Sequence, residues 1–234
     1  MRQLIVMVFI SVSFWVFSTS ISCKEKGIMQ KQNQIIKLPE PKFKSSISIE
    51  EAINKRRSIR KFDDSPLEIN EISQLLWAAQ GISTSDGRRT VPSAGATYPL
   101  EIYLASRKIN GLDKGLYKYN PQSHSLIPIK YGDIASDIAN STPQKNIIYS
   151  ATAIFIITAD FERTTSVYGS RGNIYVYIEV GHAAQNLSLQ AVGLKIGSVM
   201  IGAFDEKELK RLLGLPINET PLYIIPCGKT KTYQ

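Results

Sequence analysis

A ten-residue apolar run, ATAIFIITAD at Ala151–Asp160, constrains the fold of this chain more than any other segment. The run is rich in β-branched residues and does not alternate with polar ones, which is typical of a strand buried on both faces. A second segment, YVYIEVGHAAQNLSLQAVG at Tyr175–Gly193, is too long for a strand and is apolar around most of its circumference. It predicts a helix that is buried in a core or at a subunit interface.

Shorter patterns place helices and strands around these two segments. Ser48 and Glu51 form an S-x-x-E capping box, and the helix that it opens leads straight into a basic cluster. A second helix is predicted from Asn70 to Gln80, with Gly81 closing it. Further strands are predicted at 101–106, 116–120, 195–202 and 222–228, and a capped helix at 206–214. Helices that alternate with strands predict one α/β or α+β sheet domain.

The N-terminal residues have the pattern of an export segment followed by a tether. Met1-Arg2 precedes the apolar run LIVMVFISVSFWVF, which suits the h-region of a secretory signal, so residues 1–22 are predicted to be a signal peptide. STSISC then resembles a relaxed lipobox in which Cys23 is acylated, with Ser20 where Leu is usual. An ordinary signal peptide or an uncleaved anchor is the alternative. Residues 23–46 are polar and lysine-rich, which predicts a tether before a domain at 47–234.

This pattern predicts an exported bacterial protein, periplasmic or in the cell envelope, with a membrane tether if Cys23 carries lipid. Lipidation would leave Cys227 without a disulfide partner in the chain, and a Cys23–Cys227 bridge is the alternative. Only two histidines are present and neither cysteine has neighbours at metal-ligand spacing, so we expect no metal site. His182, one of the two histidines, lies in the long apolar helix and is predicted to be a hydrogen-bonded core histidine.

The formal net charge of +8 leaves the class of partner open, because basicity can serve nucleic acid, an anionic membrane or an acidic ligand. The basic residues are scattered and no recognised nucleic-acid-binding motif is present, so we expect no nucleic-acid partner. The densest group is KRRSIRK. Its guanidinium groups offer forked cationic donors that suit a phosphate monoester, and Ser58 adds a hydroxyl. A solvated helix end is the alternative for this group.

Two other segments are hard to explain by packing alone. VPSAGATYP at Val91–Pro99 is a loop of small residues bounded by prolines, and small side chains let the backbone approach a flat ligand closely. MIGAFDEKE at Met200–Glu208 is a strand that ends at Gly202-Ala203 before a capped helix. Each segment alone is a weak signal for a binding site.

Taken in order, RRSIRKF, PSAGATYPLEIYL, EVGHAAQNLSLQAVGLKIGSVMIGAFDEKELKRLLGL and PLYIIPCGK resemble the nitroreductase superfamily of flavoenzymes. The SagB-type group, which is thiazoline/oxazoline dehydrogenase-like, is the branch that they resemble most. The matching motifs span about Ile49 to Lys229. The resemblance implies an α+β three-layer sandwich with a central, mostly antiparallel sheet flanked by helices. It also implies an intertwined homodimer with two FMN sites at the subunit interface, where the Tyr175–Gly193 helix would lie.

The resemblance also assigns the cofactor-binding residues. The FMN phosphate and the ribityl or pyrimidine oxygens would be held by Arg56, Arg57, Ser58 and Arg60, with Lys229 as a second phosphate contact. The loop against the isoalloxazine, typically supplied by the partner subunit, would be Pro92, Ser93, Ala94 and Gly95. The segment whose backbone amides face the N5 edge of the flavin would be Ile201, Gly202 and Ala203.

The resemblance also indicates a candidate catalytic residue. In the thiazoline/oxazoline dehydrogenases a Lys-Tyr pair just before the long helix is implicated in proton removal, and the matching pair here is Val167-Tyr168. Tyr168 is therefore predicted to be a proton donor or substrate contact, with a purely structural role as the alternative. The replacement of Lys by Val167 removes a base and argues against azoline dehydrogenation.

The implied activity is that of an FMN-dependent oxidoreductase. It would use ping-pong transfer between a reductant, with NAD(P)H as a candidate, and a small organic acceptor such as a nitroaromatic or a quinone. Flavin-dependent dehydrogenation of the azoline or C–N type is the enzymatic alternative. A non-catalytic exported flavin-binding module, or a basic membrane- or nucleic-acid-binding domain without a cofactor, are the non-enzymatic alternatives.

Overall fold

The core of the fold is a seven-stranded sheet in which every pair of neighbouring strands is antiparallel. The computed structural model describes residues 34–233, so the predicted signal peptide, Cys23 and the first part of the predicted tether lie outside the described residues. The strands are β1 (Ile36–Lys37), β2 (Leu67–Glu68), β3 (Leu100–Ser106), β4 (Ile109–Asn110), β5 (Gly115–Asn120), β6 (Ser125–Tyr131), β7 (Ala153–Asp160), β8 (Ile196–Ser198) and β9 (Glu219–Lys229). The sheet has the order β1-β6-β5-β3-β7-β9-β8, and β2 and β4 form a separate parallel pair.

Seven α-helices lie in the described part of the chain, and two of them begin at side-chain caps that the sequence predicts. The seven helices are α1 (Ile49–Lys55), α2 (Ile69–Gln80), α3 (Ala135–Asn140), α4 (Lys145–Ser150), α5 (Glu162–Tyr168), α6 (Gly172–Gly193) and α7 (Glu206–Leu213). At the start of α1, Ser48 Oγ accepts a hydrogen bond from the Glu51 amide at 3.1 Å. At the start of α7, Asp205 accepts one from the Glu208 amide at 2.9 Å. Both starts follow the predicted caps.

Strand β7 is buried on both faces, as its sequence predicts. Phe155 and Ile157 pack in an apolar cluster with α2 and α6, whereas Ile154 and Ile156 pack in a second cluster with α3, α4 and α7. Burial of each of these side chains contributes about 1.5–3 kcal/mol. The predicted three-layer α+β arrangement, an antiparallel sheet between two layers of helices, is confirmed.

Helix α6 has one buried and one exposed face. Its buried face packs on the sheet and on α2. Its opposite face exposes Ile174, Tyr177 and Ile178, which are 44%, 58% and 49% exposed, together with Gly181, His182 and Gln185. We call these six residues the exposed α6 face. The prediction of a core histidine at position 182 is wrong for this chain, because the side chain lies on the exposed face.

The folded unit begins before the predicted domain boundary at residue 47. Strand β1 pairs with β6, and Leu38 is buried in the main apolar cluster. The Lys42 amide donates to Gln74 Oε1 at 2.8 Å, and Gln74 Nε2 donates back to the Lys42 carbonyl at 3.0 Å. The second half of the predicted tether is therefore bound to the domain from about residue 35, because the short IIKL segment supplies apolar residues that the sheet buries.

Several other features differ from the sequence predictions. Strand β8 ends at Ser198, and the chain returns to β9 only at an isolated bridge between Ile201 and Ile224. Strand β6 and helices α3, α4 and α5 were not predicted.

Cys227 is a free, fully buried cysteine, and burial raises the pKa of its thiol. Within residues 34–233, no helix has the length and hydropathy needed to cross a membrane, and no acidic, His or Cys cluster could hold a metal ion.

Candidate functional site

The basic segment, Arg56–Asp63, lies along the outer edge of β8 and the end of β9. Ser58 faces Ser198 in a parallel bridge, and the Ile59 amide donates to the Ser198 carbonyl at 3.0 Å. The Asp63 amide donates to the Lys229 carbonyl at 2.8 Å. The chain thus passes directly from the end of α1 to the sheet edge, which brings the cationic residues and Lys229 to one side of the molecule.

Two glycines allow this close approach. A Cβ atom on Gly197 would lie 2.7 Å from Ile59 Cγ2, and a Cβ atom on Gly228 would lie 2.7 Å from Phe62 Cβ and 2.9 Å from Thr152 Oγ1. All three separations are shorter than the contacts that real Cβ atoms make. The side chains of the basic segment that point at the sheet can therefore pack only because β8 and β9 carry glycine at these positions.

We expect Gly228→Ala to lower the free energy of unfolding by about 1–3 kcal/mol, because the added methyl group forces Phe62 and the basic segment away from β9. Urea unfolding measures this difference. Gly193→Ala is the matched control, since its Cβ would meet only the ends of flexible side chains, at 3.3 Å from Ser45 Oγ and 3.8 Å from Gln190 Nε2. Unfolding of Gly228→Ala at the wild-type urea midpoint would contradict this account of the packing.

The arginines of the basic segment are not neutralised by neighbouring carboxylates. Within residues 34–233, none of Arg56, Arg57 and Arg60 forms an ion pair, whereas Lys55 pairs with Glu51. Arg57 Nη1 donates to the carbonyls of Asn54 and Arg56, both at 2.8 Å, so Arg57 caps the end of α1. Within the described part of the chain, the guanidinium groups of Arg56 and Arg60 form no hydrogen bond. Like charges held together without a counter-charge suit a multivalent anion.

The side chain of Lys229 already has an ion-pair partner within the protein. Its ammonium group forms an ion pair with Glu71 of α2. A ligand phosphate at this position would have to share Lys229 with that carboxylate. The predicted second phosphate contact therefore lies close to the basic segment but is partly neutralised.

The segment Ile201–Ala203 follows β8 on the same side of the sheet. The Ile201 amide donates to the Ile224 carbonyl at 2.8 Å, so this amide is used within the sheet and is not available to a ligand. That part of the prediction is wrong, because the chain returns to β9 at this residue. Gly202 and Ala203 are exposed, and the Ala203 carbonyl accepts from Thr142 Oγ1 at 2.7 Å. The predicted backbone donors are thereby reduced to Gly202 and Ala203.

The loop Val91–Pro99 contains the predicted residues Pro92, Ser93, Ala94 and Gly95. Ser93 Oγ accepts a hydrogen bond from the Tyr98 amide at 2.9 Å, which closes the loop on itself. Gly95 has φ of 60°, and a Cβ atom there would lie 2.7 Å from the hydroxyl oxygen of Tyr168. Ala96 and Tyr98 also have positive φ, 53° and 46°, which is a strained conformation for residues other than glycine.

A buried polar cluster that the sequence did not reveal lies behind this loop. It consists of Gln80 at the end of α2, Arg89 before the loop and Glu179 on α6. Arg89 Nη1 donates to Gln80 Oε1 at 2.7 Å, and the guanidinium carbon lies 4.6 Å from the centre of the Tyr98 ring. Burial raises the pKa of Glu179 to about 7, against the opposing effects of Ser93, Arg89 and Gln80. The only sequence signal was a lone carboxylate within an apolar helix.

Tyr168, the predicted catalytic residue, lies at the end of α5 beside Gly95. It is 38% exposed and packs edge-on against Tyr175, with ring centres 5.2 Å apart. Val167 is 61% exposed, and its apolar side chain cannot exchange a proton. Tyr168 is thus placed to contact a ligand at the loop, with no base beside it at position 167.

The two parts of the predicted site contact α6 at different positions. The loop Val91–Pro99 lies near Glu179, in the first half of α6, whereas α1 packs on Val192, near its end. At 1.5 Å per residue, these positions on α6 are roughly 20 Å apart. The basic segment and Gly202-Ala203 therefore form one half of the site, and the loop with Tyr168 forms the other half.

Comparison with known proteins gives consistent matches over most of the chain. The profile of the nitroreductase family matches residues 53–229. A Methanocaldococcus jannaschii protein that carries the name nitroreductase is 44% identical over 183 residues, which is 78% of this chain and 91% of the relative. A nitroreductase structure from Ralstonia eutropha is 25% identical, with a TM-score of 0.73, and the match covers 85% of this chain and 90% of that one.

Two further solved structures share the fold. One is a subunit of the Escherichia coli microcin synthetase McbBCD complex with truncated pro-MccB17 bound. It is 21% identical with a TM-score of 0.66, and the match covers 98% of this chain and 85% of that one. The other is a Desulfovibrio desulfuricans nitroreductase in complex with FMN. It is 19% identical with a TM-score of 0.57, and the match covers 80% of this chain and 88% of that one.

Proposed function

Because this chain belongs to the nitroreductase family, a family of oxidoreductases, we propose that it is an FMN-dependent oxidoreductase whose cofactor phosphate binds at the basic segment. The observation that carries the proposal is the group of arginines at the edge of β8, which have no carboxylate partner within residues 34–233. An FMN phosphate carries close to two negative charges at neutral pH. Arg56 and Arg60 can offer it paired N–H donors, and Ser58 can offer a hydroxyl.

The other predicted residues suit the ring of the cofactor. Gly202 and Ala203 expose backbone after β8, and the Pro92–Gly95 loop presents small side chains to a flat surface. FMN supplies the transfer of a hydride or of electrons when it is bound. The protein's own part is to hold the phosphate, to orient the ring between the two halves of the site, and to place the Tyr168 hydroxyl near the substrate.

We also propose that the active unit is a homodimer. Within one chain the loop lies near Glu179 of α6 whereas α1 packs on Val192, so the loop that completes each site is proposed to come from a second copy. A second copy packed against the exposed α6 face would bring the loop and Tyr168 of one chain to the basic segment of the other. Burial of Ile174, Tyr177 and Ile178 would favour this association.

The proposed reaction is ping-pong reduction of a small acceptor such as a nitroaromatic or a quinone, with NAD(P)H as the candidate donor. The second candidate is the flavin-dependent oxidation of an azoline or another C–N bond, which the resemblance of the motifs to the SagB-type group implies. Val167 argues against it, because a valine cannot take the proton that such an oxidation releases.

We also propose that the protein is exported and that Cys23 carries lipid. Mass spectrometry of the mature N-terminus tests this proposal.

We expect residues 24–234, purified and supplied with FMN, to be yellow, to be bleached by NADPH or dithionite, and to recover their colour when menadione or nitrofurazone is added. Visible absorbance measures both half-reactions. Denatured protein with the same FMN is the control for chemical reduction of the acceptor.

The outcomes separate the candidate functions. A flavin spectrum that dithionite bleaches, but that no acceptor restores, would favour a flavin-binding module without turnover. A colourless protein that cannot be reconstituted with FMN would overturn the proposed function, and the basic-domain alternative would then require strongly salt-dependent binding.

A further inference from the structure

The second half of the loop Val91–Pro99 runs antiparallel to helix α5 and contacts it at three places. As residue numbers rise along the loop they fall along the helix, which is the order expected of two segments that pack side by side. Thr164 and Tyr168 are four residues apart, so they lie on the same face of α5. We call these contacts the loop–α5 seam: they join Gly95 to Tyr168, Thr97 to Thr164, and Tyr98 to Arg163.

Thr164 acts on the loop through a relay of two hydroxyl groups. The Thr97 hydroxyl donates to the Ala94 carbonyl at 3.0 Å. Because each hydroxyl has only one hydrogen, the 2.8 Å contact between the two threonines is a bond that Thr164 donates and Thr97 accepts. Thr164 is only 1% exposed, so water has little access to replace it. The backbone of Ala94 is therefore held in place from α5.

Arg163 holds the other end of this half of the loop. Its Nη1 donates to the Tyr98 carbonyl at 3.0 Å, and its Nη2 donates to Glu101 Oε1 at 2.6 Å. Its Nε lies 3.5 Å from Asp160 Oδ2. A carboxylate of β3 and a carboxylate of β7 thus fix the guanidinium group while it binds the loop. Tyr98 has φ of 46°, a strained conformation that persists only where surrounding contacts hold it.

The third contact of the seam places the loop backbone against Tyr168. A Cβ atom on Gly95 would lie 2.7 Å from the hydroxyl oxygen of Tyr168 and 3.2 Å from its ring atom Cε2. Glycine at this position therefore lets the Tyr168 ring lie directly on the backbone of the loop. The separation of Tyr168 from the loop stays fixed only while α5 is held against the loop by the other two contacts.

We propose that Thr164 and Arg163 are positioning residues that hold the loop Val91–Pro99 and Tyr168 as one rigid unit. The inference rests on the proposed function, in which this loop faces the cofactor ring and Tyr168 contacts the substrate. Both residues act indirectly, through the backbone of the loop and through α5. They keep the ring-facing backbone and the Tyr168 hydroxyl at a constant distance from each other.

Amide hydrogen exchange in the flavin-free protein tests the proposal. The probes are three amides that donate hydrogen bonds within the loop, those of Ala96, Thr97 and Tyr98. Thr164→Val keeps the shape of the side chain but removes the donor, so we expect about three- to tenfold less protection of these amides. Thr164→Ser keeps the hydroxyl group and should restore the protection. The amides of β7 are the internal reference.

Thr165→Val is the matched control, because Thr165 Oγ1 donates to the Phe161 carbonyl at the start of its own helix, at 3.0 Å, and not to the loop. The loop amides of this variant should be protected as in the wild type. Wild-type protection of the loop in Thr164→Val, or an equal loss in Thr165→Val, would overturn the proposal.

A second variant decides the case in which Thr164→Val also loosens β7. The Arg163 side chain is 38% exposed, so Arg163→Met removes the bond to the Tyr98 carbonyl without opening a cavity in the core. The loop amides should lose protection while those of β7 keep it. Unchanged protection of the loop in Arg163→Met would overturn the proposal.

Cofactor binding distinguishes the seam from the basic segment. A loop that faces the ring affects riboflavin and FMN alike, so Thr164→Val should weaken the binding of both by a similar factor. The Arg56→Ala, Arg60→Ala variant should weaken FMN far more than riboflavin. Wild-type riboflavin affinity in a Thr164→Val protein with a loosened loop would overturn the proposal. A protein that binds no flavin, but whose loop follows the expected exchange pattern, would refute the proposed function and support the rigid unit of loop and α5.

Discussion

The double variant Arg56→Ala, Arg60→Ala is expected to bind FMN about 10²–10⁴-fold more weakly than the wild type. A hydrogen bond to a charged group contributes about 1.5–3 kcal/mol, and the variant removes the donors of two such groups. Loss of about 3–6 kcal/mol corresponds to this range, since each 1.4 kcal/mol changes the dissociation constant tenfold. Quenching of flavin fluorescence during titration measures the dissociation constant, and the purified variant should be colourless.

Two controls make this result specific to the phosphate. Arg88→Ala, Arg211→Ala removes the same number of charges from exposed positions that pair with Asp86 and Glu208, and should bind FMN as the wild type does. Riboflavin, which lacks the phosphate, should lose much less affinity than FMN in the Arg56→Ala, Arg60→Ala variant, because only contacts to its ribityl or pyrimidine oxygens are removed. Retention of wild-type FMN affinity by this variant would refute the assignment of the basic segment.

The largest loss of stability is expected for Glu219→Ala, at about 3–5 kcal/mol. The Glu219 side chain is 4% exposed, and its Oε1 lies 2.8 Å from Lys118 Nζ. Its Oε2 accepts from Tyr103 at 2.9 Å and from Thr158 at 2.7 Å. Removal of one partner from a buried ion pair leaves the other charge poorly compensated. Urea unfolding at pH 7 measures the difference.

Glu101, 3.4 Å from Lys118, remains as a second carboxylate, so the loss should fall near the lower end of this range. Glu219→Gln keeps an acceptor for the two hydroxyl groups and should lose less. Glu206→Ala, at an exposed position, should change stability by no more than about 0.5 kcal/mol. A Glu219→Ala protein with the wild-type unfolding midpoint would show that the network gives no net stabilisation.

The sequence predicted best those elements whose pattern is local. The all-apolar β7, the capped starts of α1 and α7 and the length of α6 follow from adjacent residues and their period. Strand β1 escaped prediction because two residues in a lysine-rich stretch carry little periodicity, and their burial depends on pairing with β6, some ninety residues later. The Ile201 amide was assigned wrongly for the same reason, since its partner is Ile224.

The sequence motifs indicated the parts of the candidate site but not their arrangement. Motifs located the basic segment, the loop and Gly202-Ala203, yet their separation along α6 depends on how the helix crosses the sheet. Glu179 escaped because a single carboxylate in an apolar helix has no period of its own, and only packing shows that Gln80 and Arg89 meet it. The side chain of His182 was wrongly predicted to be buried, because apolar residues on both faces of α6 do not indicate which face packs on the sheet.

The position of the basic segment beside β8 has one further consequence. An exposed edge strand presents unpaired backbone groups that can template the addition of a strand from another molecule. Here Ser58 and Ile59 cover that edge, so the segment proposed to bind the cofactor phosphate also shields the sheet from intermolecular pairing. Anything that detaches them, such as a larger residue at Gly228, would uncover the edge and promote aggregation. A phosphate bound by the arginines of this segment would hold the segment on the edge of the sheet. Binding of the phosphate would therefore reduce aggregation.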